Sequence, residues 1–295
     1  SNKRDIAYGG HLDRIGLMVD ELMADGTIRF SGIGGLYPGH MMDGVTACVE
    51  TKDGTFIEGV IAHLDAPIHR VGSLDKWNKR PQEFEKLRLR PDACIGATKE
   101  NGKKILEDMG VQVGNLIWLN QSFNLSQEHQ IFRGRWMDNN LGCVTLLGLL
   151  DHWAKTKFIP AYNTTLVFSA AEEAGMGGTS IIYPELTDFI SVDVTVGEDM
   201  EDINLAVIMQ KAGRLPYSHS LVKELEAAAE KAKEPFIRKV NKGGGTDAEQ
   251  ARGAGFKGRI ANIDIPIYGM HSIESGTFKG LNAVINILNQ HAKLK

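Results

Sequence analysis

The sequence predicts an α/β fold, a central mixed sheet with helices on both faces, interrupted by an inserted β-rich domain of barrel or PDZ-like type. Three observations predict it. Beyond about residue 138, helical and strand-like patterns alternate, which is how a sheet covered by helices reads in sequence. From residue 18 to 130 the texture is short strands and turns instead. Finally, His11, Asp138, the pair Glu172-Glu173, Asp193 and His271 are metal-preferring side chains placed at or just past short apolar runs. Carboxylates and imidazoles at strand ends can converge on one cleft, and that mix suits divalent metals.

The elements follow in order. Ile6 to Gly10 is a short strand before His11, Ile15–Val19 is a second, and Gly26–Phe30 is its hairpin partner. Val45–Val49 and Phe56–Ile61 flank Asp53-Gly54, a strong hairpin signal. Leu87–Arg90 alternates, and Leu116–Leu119 is an apolar run. A short helix over Lys99 to Met109 is closed by Gly110 in the position after a helix end that glycine favours. Leu141 to Thr156 is an apolar helix, Thr164–Ser169 a buried strand and Phe189–Val192 the next strand. Helices over Ser218 to Lys233 and Thr277 to His291 complete the pattern. The economical organisation is a catalytic α/β domain of residues 1–17 and 131–295, with residues 18–130 inserted for assembly or substrate access.

Composition narrows the function. The 295 residues are 42% hydrophobic and 24% charged, ordinary for a folded globular chain. A net charge of -4 gives no footprint for nucleic acid. No apolar stretch approaches the ~18 residues of a membrane span. Cys48, Cys94 and Cys143 are odd in number and far apart, which argues against a disulfide framework and favours a reducing, cytoplasmic compartment. Ser1-Asn2 reads as a cloning remnant, and a strand leading straight into a ligand is normally a middle strand, so more chain is expected upstream.

Each candidate has a plain reading beside the functional one. His11-Leu12-Asp13 puts an imidazole and a carboxylate on one side of an extended backbone, and a ligand histidine needs such a partner. His63-Leu64-Asp65 repeats the pattern, but it lies in the β-rich insertion. Asp138 also suits a helix N-cap. Glu172-Glu173 is the sharpest signal, because two acids at the end of a buried strand are costly unless a cation pairs them. One would be a ligand and one a general base. Asp193 repeats the strand-end logic, and His271 follows an isoleucine-rich stretch. Gly243-Gly244-Gly245-Thr246-Asp247 lacks the P-loop pattern, leaving a close approach to substrate or a flexible turn.

Together, the order H-x-D, D, EE, D, H resembles the co-catalytic metallo-aminopeptidases of the MH clan, specifically the glutamyl-aminopeptidase/tetrahedral-aminopeptidase family, some of whose members were once labelled endoglucanases. The resemblance includes His11–Val19, the Gly26–Phe30 hairpin, Ile95-Gly96-Ala97, Ala171–Gly175, Gly245–Ala248 and Met270-His271-Ser272. It implies two divalent metals, zinc first and cobalt or manganese as alternatives. Asp138 would bridge them, with Glu173 and His271 on one ion and His11 and Asp193 on the other. Asp13 would orient His11, and Glu172 would be the general base that deprotonates the bridging water. Short peptides would be the substrates, and homo-oligomers, dimer-based and up to dodecamers, the assembly.

Two departures stand out. The family usually carries Glu where this chain has Arg14, and Asp-Asp-Arg where it has Asp138-Asn139-Asn140. Rival readings are a clan-related N-acyl deacylase or carboxypeptidase, and a metal-binding homologue without activity.

Overall fold

The computed structural model describes residues 4–41, 43–66, 68–120 and 122–294. The chain forms two units, one of residues 1–14 and 122–295 and the other of residues 15–121.

The chain begins with β1 (Asp5–His11) and then enters the second unit. There β2 (Gly16–Leu22), β3 (Ile28–Ile33), β4 (Asp43–Glu50), β5 (Phe56–His63), β6 (Leu87–Pro91) and β7 (Leu116–Leu119) close into an antiparallel barrel in the order β2-β3-β6-β5-β4-β7. Alternation drives closure: in β5 the residues Ile57, Gly59, Ile61 and His63 turn inward between more exposed neighbours. The Asp53-Gly54 signal sits in the β4–β5 connection, and Gly54 takes φ +79. Two short helices, α1 (Ile68–Val71) and α2 (Leu74–Asn78), follow β5. The predicted helix over Lys99 to Met109 is shorter, α3 (Gly102–Asp108), because the Asn101 side chain accepts the Thr98 N–H at 2.7 Å and holds the preceding residues in a turn. Its end is as expected. Gly110 takes φ +82, and the N–H groups of Gly110 and Val111 donate to Glu107 and Leu106, the two bonds of a Schellman motif.

The first unit resumes with β8 (Asn124–Ser126) and β9 (Ile131–Gly134), then α4 (Met137–Thr156) and β10 (Asn163–Ser169). Next come β11 (Asp188–Val196), β12 (Ala206–Ala212), β13 (Leu215–Pro216), α5 (His219–Ala232) and β14 (Phe236–Val240). The chain finishes with α6 (Asp247–Gly253), β15 (Arg259–Ile267), β16 (Glu274–Thr277) and α7 (Phe278–His291). Seven strands make one mixed sheet, ordered β10-β1-β11-β15-β12-β13, with β14 also on β12. β10, β1, β11 and β15 run parallel, while β12 is antiparallel to β15.

β1, β11 and β15 are buried almost throughout, as strands covered on both faces must be. Their few polar residues are therefore informative, since each needs a partner. α4 turns Leu141, Leu146, Leu149 and Trp153 inward against β1 and β11, each large aliphatic contributing roughly 1.5–3 kcal/mol. α7 packs beside α4 and α5, and its first turn is capped by Thr277, whose Oγ1 accepts the Gly280 N–H at 3.0 Å. α6 packs against β15, β11 and β1 and against the short 3-10 turn Gly177–Ser180.

Candidate metal centre

Parallel strands bring their carboxyl ends to one edge of the sheet, the place where open α/β sheets collect ligands. His11 is the last residue of β1 and lies opposite Ser169, the last of β10. Glu172 and Glu173 therefore emerge from the neighbouring strand only a few residues on. Asp193 does not end its strand as the sequence suggested. β11 continues to Val196, because β15 pairs with it through Val196 and Ile267, whereas β1 stops at His11. Gly9 lies opposite Ser191, so Asp193 is still level with His11. His271 follows β15 in a turn and takes a left-handed backbone, φ +63.

Asp138 is not a helix N-cap. Trp136 occupies the cap position in the left-handed region, and Asp138 and Asn139 have non-helical backbones joined by a cis peptide. Asn139 fixes this entry. Its Nδ2 donates to the Val192 carbonyl at 2.8 Å, and its Oδ1 accepts the Gly142 N–H at 2.8 Å. Asp138 is thereby held beside β11.

The resulting cluster is tight. His11 Nε2 lies 3.1 Å from Asp138 Oδ1, 3.6 Å from Asp193 Oδ1 and 3.8 Å from Glu172 Oε2. His271 Nε2 lies 3.3 Å from the other oxygen of Asp138. Two sets of possible ligand atoms emerge, His11/Asp138/Asp193 and Asp138/Glu173/His271, each with its atoms within 4.8 Å of one another. Asp138 belongs to both, and Glu172 to neither. The twin histidine, His63, is elsewhere. It is buried in the barrel unit, with Nε2 3.1 Å from the Pro81 carbonyl and Nδ1 accepting the Asp65 N–H at 2.9 Å.

Asp13 lies beside His11 as the spacing suggested, and it makes further contacts that the sequence did not indicate. His11 Nδ1 lies 3.2 Å from the Asp13 backbone oxygen and 3.6 Å from its carboxylate. The carboxylate accepts the N–H groups of Glu172 at 3.1 Å and Glu173 at 3.0 Å, so it seats the glutamate pair. Gln250 on α6 was also missed: its Nε2 donates to Glu172 Oε1 at 2.7 Å, and its Oε1 accepts the Gly178 N–H at 3.2 Å. Asp247 was seen only as part of a glycine-rich loop. It is buried, accepts a hydrogen bond from the Ser169 hydroxyl, and burial pushes it up to about 6. Short-range sequence pattern carries no signal for Gln250, which reaches its partner across 78 residues of chain.

The electrostatics of the cluster follow from its burial and crowding. Burial pushes Glu172 up to about 9, with Asp193 adding to the effect, and pushes Glu173 up to about 7, with Asp138 adding to it. Burial also raises Asp193. Asp138 is held low despite burial, because the two imidazoles face it, and His11 is held high against burial by Asp138 and Asp193. Glu173 Oε1 is buried without a hydrogen-bond partner. Crowded buried carboxylates with an orphaned oxygen call for cations. Imidazole and carboxylate donors suit zinc, cobalt or manganese. The residues fit two divalent ions that share Asp138.

Comparison with known proteins gives a consistent picture. The family described as M42 glutamyl aminopeptidase matches residues 1–287. A putative aminopeptidase of Bacillus subtilis (strain 168), YhfE, is 28% identical over 225 residues, covering 75% of this chain and 62% of its own length. The putative aminopeptidase FrvX of Escherichia coli (strain K12) is 30% identical over 213 residues, covering 72% of this chain and 55% of its own. The chain thus spans less than two thirds of these relatives. Among solved structures, the TET aminopeptidase of a marine sediment archaeon, Thaumarchaeota archaeon SCGC AB-539-E09, superposes with a TM-score of 0.85 at 20% identity, over 99% of this chain and 82% of that one. The Pyrococcus horikoshii TET1 peptidase, which can assemble into a tetrahedron or a large octahedral shell, gives 0.81 at 20% identity, over 99% and 84%. At such identities the structural likeness establishes the fold.

Proposed function

Because this chain belongs to the M42 glutamyl aminopeptidase family, we propose that it is a metal-dependent aminopeptidase that releases N-terminal residues from short peptides. The observation that carries this reading is the unequal placement of the glutamate pair: Glu173 belongs to a ligand set and Glu172, its immediate neighbour, to none.

In this reading Asp138 is shared, His11 and Asp193 complete one ion site, and Glu173 and His271 complete the other. Zinc is the first choice, with cobalt or manganese as alternatives. Such ions supply Lewis acidity at the scissile carbonyl and lower the pKa of water. The chain's own contribution to proton movement is Glu172. Its Oε1 is engaged by Gln250 and its Oε2 faces the cluster, where bound cations would offset the burial and the carboxylates that raise its pKa and leave it ionised as a proton acceptor. The same oxygen would return the proton to the departing amine. Asp13 holds the backbone of both glutamates, so acceptor and ligand keep their division of labour.

Self-association and a reducing, cytoplasmic setting also belong to this proposal. The assemblies of the TET1 peptidase support the first, and three free cysteines support the second. Among the described residues no helix is long and apolar enough to cross a membrane. The barrel unit would serve assembly or substrate access.

The test is turnover of metal-loaded protein on matched free-amine and amine-blocked peptides. Cleavage confined to free-amine peptides supports the aminopeptidase reading. Hydrolysis of blocked substrates, or release of C-terminal residues, would replace it with a deacylase or carboxypeptidase.

A further inference from the structure

Glu274 opens β16 and is almost fully buried, at 1% exposure. Its side chain joins neither ligand set. Its Oε2 accepts the Met137 N–H at 2.6 Å, and its Oε1 accepts the His271 N–H at 3.0 Å. The Asp138 N–H also faces this carboxylate. One buried side chain therefore ties together the segments that carry Asp138 and His271, which are distant in sequence.

Both segments need such a tie. Trp136 takes φ +65 and His271 φ +63, and Asp138 and Asn139 depart from helical angles. Backbone of this kind cannot satisfy its own N–H groups through a regular ladder, so a buried acceptor must do it. Glu274 is itself well anchored, since β16 pairs with β9 and sets Glu274 opposite Gly134, just before the Trp136 turn. The Glu274 carboxylate thus links the backbone beside Asp138 directly to that of His271.

We propose that Glu274 is a positioning residue for the ion site formed by Asp138, Glu173 and His271, acting through the backbone N–H groups of Met137 and His271. The proposal rests on the metal-dependent reading above. It distinguishes the two ion sites by degree, because both share Asp138 and feel a change at the Met137 N–H, while only the Asp138/Glu173/His271 set also loses the tie at the His271 N–H. Outer partners of metal ligands typically contribute about 10- to 100-fold in affinity.

The experiment is titration of metal-free protein with cobalt(II), followed by calorimetry and by the visible absorption of bound cobalt, for the wild type, Glu274→Gln and Glu274→Asp. Gln keeps the shape but turns an amide NH2 toward a backbone donor, and Asp keeps both oxygens on a shorter stem. In Gln, the ion on His11, Asp138 and Asp193 should weaken only slightly. The other should weaken about 10- to 100-fold, and the absorption at the weakened site should change. Asp should recover part of the loss, and it serves alone if Gln does not fold. Two ions bound with wild-type affinity and spectrum in either variant would overturn the proposal. So would equal weakening of both ions, which marks a general structural role. Absence of cobalt binding in the wild type would sink the metal-dependent reading itself, and the proposal with it.

Discussion

Arg14 Nη2 donates to Asn140 Oδ1 at 3.2 Å, so the two places where this sequence departs from its family's usual pattern touch each other. Asn139 is the remaining difference, and it bonds instead to Val192 and Gly142. The Arg14–Asn140 contact joins a guanidinium to an uncharged amide. The contact is exposed, so it contributes little to stability. Its consequence is a net positive charge beside the segment that carries Asp138. Arg14→Glu should leave the melting temperature nearly unchanged and raise KM for peptides with acidic side chains by about 3- to 10-fold at low salt, with the effect fading at high ionic strength. Equal KM changes for acidic and neutral peptides would refute the charge effect.

Glu172→Gln should retain two bound ions and lose turnover by roughly 10²- to 10⁴-fold, the usual contribution of a positioned general base. Asp138→Ala should instead lower occupancy at both ions, because both ligand sets contain Asp138. Metal content measured on the two variants separates base from bridge. Retained activity in the first, or two tightly bound ions in the second, would contradict the assignment.

Gln250 predicts a subtler phenotype. Gln250→Leu should keep metal content and KM but lower kcat by about 10- to 100-fold, since a hydrogen bond to a charged group contributes about 1.5–3 kcal/mol. A change in KM alone would show that Gln250 acts on binding rather than on Glu172.

The glycine loops show where sequence reading ended. The run Gly243-Gly244-Gly245 suggested a close approach to substrate or a flexible turn, and within the chain a Cβ on Gly243 would meet nothing within 4 Å and one on Gly245 only side chains. The close approach is at Gly178, where a Cβ would sit 1.8 Å from the Asp247 backbone oxygen. Gly178→Ala should therefore destabilise by about 1–3 kcal/mol or more, while Gly245→Ala should stay within about 0.5 kcal/mol. Equal unfolding midpoints for the two would remove the packing argument.

That contrast is general for this chain. The α/β alternation, the barrel strands, the Gly110 helix end and the acid pair after a strand are local patterns, set by side-chain period and turn chemistry, and were readable. That strand, β10, was expected to be buried and is instead the half-exposed edge of the sheet. Asn139, Gln250 and Glu274 act through partners 53, 78 and 137 residues away, and no local pattern announces such pairs. Asp13 shows the limit most clearly. Its spacing from His11 suggested a partner for that ring, and its carboxylate lies 3.6 Å from it, but the same carboxylate also meets the backbone N–H groups of Glu172 and Glu173 in the turn after β10.

The opposite end of the sheet should govern acid stability. Asp188 and Glu224 are joined by Arg4 and Arg259, with Arg259 Nη1 2.6 Å from Glu224 and its Nε 2.7 Å from Asp188. His291 lies 3.6 Å from Glu224, while burial keeps its pKa low and Tyr8 Oη sits 2.7 Å from its Nδ1. Burial alone would raise Glu224, yet the bonds from His291, Arg259 and Arg4 outweigh it and hold it down to about 2. Because His291 stays neutral, the arginines carry most of that effect. A carboxylate whose folded pKa is depressed stabilises the fold above its unfolded value, about 4.3, and that stability is lost as pH falls toward the folded value. With partial exposure discounted, the contribution is about 1–2 kcal/mol. Glu224→Gln should thus be less stable than the wild type at neutral pH, and the gap should close between about pH 4.5 and pH 2. Denaturant midpoints of both proteins across that window provide the measurement, and a gap that stays constant with pH would show that Glu224 contributes by packing rather than by charge.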